Sequence, residues 1–526
     1  MDAPFVLRIM ARRGLLYPGR PDRVARQIGA LRRWGMSLYG ELRSTAARNP
    51  ERPAIIDGKR VISYGRLEAR ARRLANCLRT SYGVRVGDKV GLLCHNSTSM
   101  VESMLAISAL GAHAVLINTG LGTTQLESVV HSHGVKLLIH DDEFFELLAA
   151  LSAQVARISA DGDPNRPSPT VAGLIRQSPL TALRPPEQPG QLIVLTSGTT
   201  GAPKGARRRN PNGLAPLAVI ISRIPLRAGE RMFIAAPIFH TWGLAALQLC
   251  LGLRGTAVIR RRFDPVDTLY AMARHECRSL FAVPVMLQRL LDTQGSVPSL
   301  KIAASSGSAL PGALSNEFMD RFGDVLYNLY GSTEASWASI ATPADLRRSP
   351  GCAGRPPHGT RLAIHDRRGQ PLPPGEIGRI FVGNDMMFEG YTNGTTKESE
   401  DGLIATGDLG HIDQNGLLFI DGREDDMVVS GGENVYPSAV EDLLAGLPQV
   451  REVAVAGMPD VEYGQRLAAW IALHPGEWLD SDAVKEYVRH RLARFSVPRD
   501  VYFVRALPRN ATGKVLVRVL QQQGAF

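Results

Sequence analysis

No stretch of the chain reaches the ~18 consecutive apolar residues of a membrane-spanning helix. Its arginine-rich start also lacks the uninterrupted apolar core and small-residue cleavage site of a secretory signal. A cytoplasmic location is therefore the expectation. Cysteine is scarce: Cys77, Cys94, Cys250, Cys277 and Cys352 are odd in number, widely spaced and without a C-x-x-C pair. That pattern argues against a disulfide framework and a structural zinc, and predicts reduced core thiols. Internal repeats and low-complexity tracts are missing too, and 44% hydrophobic with 21% charged residues is the balance of a globular protein. At 526 residues the chain exceeds one ordinary core, so two or more domains are expected.

Positive charge is what the chain has in excess, at a net +11. Residues 1–45 form a basic leader, and the first fifty residues hold ten arginines against Asp2, Asp22 and Glu41. Val24, Ile28, Leu31, Leu38 and Leu42 fall at helical spacing, with Arg23, Arg26, Arg32 and Arg33 elsewhere on the wheel. One reading is a peripheral helix on an anionic membrane, suited to collecting a lipid substrate. The plainer one is a helix packed on the protein's own body with a solvated basic face. No aromatic or recognition-helix pattern accompanies the charge, so nucleic acid is not an expected partner.

Beyond the leader, the spacing predicts a helix over Tyr64 to Arg79, a strand over Lys89 to Cys94, a helix over Met100 to Leu110 and strands at 114–117 and 135–140. Further apolar runs follow at 192–195, 232–236, 256–260 and 279–283. Strands alternating with helices predict an α/β fold, a large domain of mostly parallel sheets flanked by helices over 46–422. From about residue 350 prolines separate short alternating runs, which predicts a β subdomain. The polar stretch Asp421 to Asp426 then leads into 423–526, the size of a small separate α+β domain.

Five segments carry candidate chemistry. The strand at 192–195 opens into Thr196-Ser197-Gly198-Thr199-Thr200-Gly201-Ala202-Pro203-Lys204-Gly205, whose glycines, hydroxyls and lysine suit a phosphate. A flexible linker has a similar composition, and Gly205 after Lys204 excludes a Walker loop. Asn328-Leu329-Tyr330-Gly331-Ser332-Thr333-Glu334 places a carboxylate at the end of a polar turn, where Mg²⁺ beside phosphates would sit. Asp408 in Thr406-Gly407-Asp408 suits ribose hydroxyls, although local residues alone favour an Asx turn between two strands. Arg423 adds a cation near the proposed hinge, and Lys514 lies in the turn Asn510-Ala511-Thr512-Gly513-Lys514. Arg207, Arg208 and Arg209 read best as solvated surface, with an extra grip on ligand phosphates as the alternative.

Together, in this order and spacing, the five segments resemble the adenylate-forming superfamily of acyl-CoA synthetases, luciferase-like enzymes and peptide-synthetase adenylation domains. The resemblance runs from about Tyr64 to the C-terminus. It implies ATP-dependent conversion of a carboxylic acid to an acyl-adenylate, with Mg²⁺ bound, followed by transfer to CoA with release of AMP. By similarity the 196–205 loop holds the β- and γ-phosphates, and Thr200 and Glu334 lie near the metal. Asn328 and Tyr330 frame the adenine with Gly331, Ser332 and Thr333 in the same turn, while Asp408 and Arg423 contact the ribose. Lys514 bridges the substrate carboxylate and the α-phosphate. The small domain is implied to be mobile, swinging about Asp425 and bringing Gly432 to the pantetheine tunnel.

Pro237 to Gly243 resembles the family's aromatic–histidine motif and puts His240 beside the acyl pocket, with Gly307, Ser308 and Ala309. Peptide-synthetase domains carry a Phe-Asp where this chain has Phe239-His240, which disfavours amino acids. The apolar lining and basic leader point to a fatty acid, medium or long; aryl and steroid side-chain acids stay open. No carrier-protein signature follows Phe526, so free CoA is the expected acceptor, with a carrier-loading fatty acyl-AMP ligase as the nearest rival. A non-catalytic nucleotide- or lipid-binding homologue is the reading from a different class.

Overall fold

In the computed structural model of the chain, residues 3–162, 169–196, 204–211, 213–426, 428–430, 433–460, 464–510 and 513–523 are described. Two sheets organise the large N-terminal body. The first has six strands in the spatial order Ala156–Ser159, Leu137–His140, Lys89–Leu93, His113–Leu116, Leu192–Thr196 and Lys204–Arg207. All pairs are parallel except the last, where the chain doubles back after the phosphate-loop segment and pairs Thr196 with Lys204. The second sheet has eight strands. Its interior pairs are parallel, and antiparallel hairpins at Pro53–Ser63 and Leu326–Ala341 close the two edges.

Strands such as Leu137–His140, Thr256–Ile259, Ser279–Ala282 and Ile302–Ser305 are buried at every position. That is the mark of parallel strands covered on both faces, and it explains why they read as continuous apolar runs rather than as alternation. Helices Tyr64–Ser81 and Thr98–Ala109 start on serine caps: Ser63 Oγ accepts from the Arg66 amide and Ser97 Oγ from the Met100 amide. An antiparallel five-stranded sheet over residues 361–423 forms the β subdomain. A second five-stranded sheet, starting at Val428–Ser430, combines with helices Pro437–Ala445, Ser481–Arg489 and Val517–Gln523 in the C-terminal unit. Its apolar clusters around Val440, Val455, Ile471 and Trp470 lie entirely within residues 428–520. Arg423 is the last residue of a β-subdomain strand, so the change of sheet falls within 424–427.

The leader folds as three helices, α1 (Ala3–Arg12), α2 (Pro21–Trp34) and α3 (Leu38–Arg48). The five apolar residues predicted on one wheel therefore do not share a helix, because Gly35 and the Ser37 cap break it. Ile28 on α2 is 47% exposed, whereas α3 buries Leu38, Tyr39 and Leu42 in the main core and crosses the expected boundary at residue 45. Tyr39 Oη donates to Glu68 at 2.8 Å, Arg43 pairs with the same carboxylate at 3.2 Å, and Thr45 bonds the Leu251 carbonyl. Packing on the body thus accounts for α1 and α3. Among the described residues no helix is long and apolar enough to cross a membrane. All five cysteines are buried and free.

Candidate active site

Several parallel strands end, at their carboxyl ends, in a segment of one cleft of about 1210 Å³. Leu192–Thr196 leads to the phosphate-loop segment, Arg231–Ile234 to Pro237 and His240, Ser279–Ala282 to Val283 and Val285, Ile302–Ser305 to Ser306–Leu310, and Leu326–Tyr330 to Gly331–Glu334. Ligands of open α/β sheets bind there because the loops alone at that edge are free to carry chemistry. The β subdomain contributes Asp408 and Arg423, and the C-terminal unit contributes Lys514.

Asp408 does not sit in a turn between strands, as local residues suggested, but within the long strand Leu403–Ile412, paired with Arg423 across the ladder. Tyr330 Oη donates to Asp408 Oδ2 at 2.6 Å, and Arg423 Nη1 lies 3.4 Å from Oδ1. Burial beside that carboxylate drives the Tyr330 phenol well above its ordinary pKa, so it stays a neutral donor. Glu334 is 8% exposed and accepts a 2.5 Å hydrogen bond from Tyr391 Oη. The turn that holds it is tight: a Cβ on Gly331 would come within 2.4 Å of the Ser336 carbonyl. Thr333 and Thr241 share a hydroxyl hydrogen bond of 2.9 Å, tying this turn to the helix that follows His240.

Lys514 opens into the cleft yet lies deep in the molecule. Its pKa is lowered by burial first and by Arg423 second, while Asp408, Glu334 and Asp426 oppose the shift. Its backbone amide donates to Asn510 Oδ1 at 2.9 Å, and Arg509, held by Glu452 at 3.1 Å, donates to the Gly513 carbonyl. Gly513 has φ +83°, and a Cβ there would meet Val285 at 2.8 Å, so the lysine turn presses directly on the N-terminal body. His240 stands at the N-cap position of the helix Thr241–Gly252, with no side-chain capping bond. Burial, then the Lys514 charge, pushes its pKa down to about 3, and its Nε2 is sealed from solvent without a partner among the described residues. The imidazole is therefore neutral, and a bound group is what Nε2 lacks.

Lys204, Asn328, Tyr330, Gly331, Ser332, Thr333, Glu334, Asp408, Arg423, Lys514, His240, Gly307, Ser308 and Ala309 all line this cleft. Lys204 Nζ also lies 5.6 Å from the centre of the Tyr391 ring. The predicted residues Ser197, Gly198, Thr199, Thr200, Gly201 and Gly432 lie outside the described residues, as do the side chains of Thr196 and Asp425. For Mg²⁺ the described donor is Glu334; one carboxylate facing a phosphate site is the donor set that ion uses when phosphates supply the rest.

Three contributors escaped the motif reading. Tyr391 positions Glu334. Arg208 is not solvated surface: it lines the cleft, its Nη1 is buried without a partner among the described residues, and burial lowers its pKa to about 10 although Glu334 raises it. Arg209 does remain exposed, near Glu389 at 3.6 Å. Glu41 of α3 also lines the cleft, and burial raises its pKa to about 8. A run of like charges and an acid in a basic helix carry no signal in sequence for burial.

Comparison with known proteins identifies the family. The family model of the AMP-binding enzyme matches residues 42–392, and that of the AMP-binding enzyme C-terminal domain matches 439–514. A feruloyl-CoA synthase from an Amycolatopsis species is 32% identical over 484 residues, spanning 90% of this chain and 96% of the relative. A long-chain-fatty-acid–CoA ligase of Mycobacterium tuberculosis is 30% identical over 503 residues, spanning 92% and 97%. The solved structure of o-succinylbenzoate CoA synthetase from Bacillus subtilis in complex with its acyl-adenylate intermediate superposes with a TM-score of 0.80 at 30% identity, covering 91% of this chain and 97% of that one.

Proposed function

The chain belongs to the AMP-binding enzyme family, and from that premise we propose that it is an AMP-forming acid–CoA ligase. A carboxylate attacks the α-phosphate of ATP, pyrophosphate leaves, and the thiol of CoA then displaces AMP from the acyl-adenylate. The observation that carries the reading is the convergence of Lys514, from the C-terminal unit, with Asp408, Glu334 and His240 in one cleft. No protein nucleophile is needed, and catalysis rests on positioning and charge neutralisation.

In this reading Asp408 and Arg423 hold the ribose, with Tyr330 fixing the Asp408 carboxylate through its 2.6 Å hydrogen bond. Asn328 and Tyr330 frame the adenine, and Lys204 with the 197–203 segment takes the β- and γ-phosphates. Lys514 sits between the substrate carboxylate and the α-phosphate, where negative charge develops. Glu334, aligned by Tyr391, and Thr200 would hold Mg²⁺, which supplies charge neutralisation of the phosphates. Neutral His240 offers a hydrogen bond to the acyl group. Residues 424–427, around Asp425, act as the hinge, and Gly432 stays small beside the pantetheine.

The acid is an elongated one, of medium or long fatty-acid length. Thr241, Ala245, Gln248, Leu249 and Gly252 line the cleft along a single helix, faced by Pro216, Leu217 and Ile220. At 1.5 Å per residue that helix gives an arm of about 18 Å. The fatty-acid ligase among the relatives favours the same class, while the feruloyl- and o-succinylbenzoate-specific ones favour shorter acids. ATP–pyrophosphate exchange with a panel of acids tests the proposal: acid-dependent exchange and a CoA thioester product are expected. Exchange with no acid would favour a binding homologue, and exchange without thioester would favour a carrier-loading acyl-AMP ligase.

A further inference from the structure

The acyl arm has a polar end. It follows the helix Thr241–Gly252 from His240 at its N-cap towards its C-terminal turn. There α3 packs across it, with Thr45 Oγ1 on the Leu251 carbonyl, and Met36 and Glu41 join Gln248 in the lining. Leu217 and Ile220 of the helix Ala215–Arg223 and Leu249 of Thr241–Gly252 supply apolar lining here, with Gly252 leaving room, since a Cβ there would touch Leu217 at 3.4 Å. Among the described residues the Glu41 carboxyl takes part in no ion pair. Glu41 Oε2 is sealed from solvent and has no hydrogen-bond partner among the described residues, and no cation contributes to its electrostatics. Other acids of α2, α3 and their neighbours are satisfied differently: Asp22 pairs with Arg26, and Glu68 with Tyr39, Arg43 and Arg72.

We propose that Glu41, with Gln248, reads the far end of the substrate, and that the preferred acid is one whose tail carries an oxygen function, a hydroxyl or keto group, rather than a plain methyl end. This rests on the ligase reading above and names its substrate class. A plain fatty tail would leave a buried carboxyl unpaired, while a distal oxygen supplies the missing hydrogen bond. A carboxyl held neutral by burial both donates and accepts, so a hydroxyl or a ketone satisfies it equally, and neither needs a counter-ion.

The test compares ω-hydroxydodecanoic and 11-oxododecanoic acids with dodecanoic acid on the full chain, the wild type beside Glu41→Leu and Glu41→Gln. Direct binding by calorimetry is read together with acyl-CoA formation. The wild type should prefer the oxygenated acids by roughly tenfold to a hundredfold, the range in which a buried polar group left unpaired discriminates. Glu41→Leu should erase that preference in the binding ratio and accept the plain acid better, while Glu41→Gln, which still hydrogen-bonds, keeps it. Equal binding of the three acids by wild type, or an unchanged ratio in Glu41→Leu, would overturn the inference. Loss of all turnover with the binding preference intact would instead count against the ligase reading and leave Glu41 in its assigned place. Because leucine removes a buried unpaired acid, the variant is expected to fold, and the glutamine variant covers the case in which it does not.

Discussion

Lys514 lies among Arg423, Asp408, Glu334 and Asp426, in a cleft that lowers its pKa by burial. A cation so placed has value where negative charge develops in the reaction, so Lys514→Ala should slow adenylation by about 10²-fold or more. Transfer of a supplied acyl-adenylate to CoA should be nearly untouched; equal loss in both half-reactions would remove the assigned role. Arg208 poses a different problem, a guanidinium whose buried Nη1 has no partner among the described residues and whose charge Glu334 favours. Burying a charge without full pairing costs stability, so Arg208→Met should raise Tm. If the guanidinium meets a phosphate, the same change raises KM for ATP by roughly tenfold, the worth of one charge-assisted hydrogen bond; unaltered KM values for ATP and CoA would return the residue to a structural part. Glu41 makes stability itself depend on pH. Its folded pKa of about 8 stands above the ordinary value of 4.5, so between these the folded state binds more protons than the unfolded one. Stability therefore falls as pH rises from 4.5 through about 8, by on the order of a few kcal/mol, and Glu41→Gln should flatten that part of the Tm profile. Asp408, Glu334 and Lys514 were legible in sequence because each is embedded in a motif whose order and spacing carry information. Arg208 and Glu41 were not: what distinguishes them is which way a side chain faces after the sheets and leader have packed, and no local pattern encodes that.

At the scale of elements, the parallel strands were readable because burial on both faces turns them into continuous apolar runs. Their carboxyl ends then located the site. The leader was harder. Its sequence suggested a single amphipathic helix, packed on the body by the plainer reading and on a membrane by the other, yet Gly35 and Ser37 divide it, and α3 buries Leu38, Tyr39 and Leu42 in the main core. Since Glu41 of α3 also lines the cleft, α3 belongs to the body in packing. Leu42 is fully buried, so Leu42→Ala should cost about 2–5 kcal/mol, the range for deleting a buried leucine side chain. Chemical denaturation checks this, and a change within the surface range of ±0.5 kcal/mol would mean that α3 is a detachable appendage.

At the scale of the molecule, two bodies with separate cores share one site. The C-terminal clusters lie within residues 428–520, and its sheet starts only after the change at 424–427. Among the described residues, contacts that cross between the bodies include the Gly513 turn against Val283 and Val285, and Ser438 Oγ donating to the Asp421 carbonyl. Such contacts resemble a transient interface, in which relative motion is the default. On the ligase reading proposed above, Lys514 in the cleft suits adenylate formation, and the same lysine turn would stand in the way of a thiol approaching the acyl carbon. One site therefore serves two half-reactions only if the C-terminal unit leaves after the first. We propose the single-turn helix Glu424–Asp426 as the segment whose backbone changes, and proline at its centre would hold φ at about −65°. Asp425→Pro should thus retain ATP–pyrophosphate exchange while CoA thioester formation falls by about 10²-fold or more, and Asp425→Ala, which leaves φ free, should keep both. If the proline variant forms thioester at the wild-type rate, the pivot lies elsewhere; if both half-reactions fail together, 424–426 serves adenylation itself rather than the movement between the two.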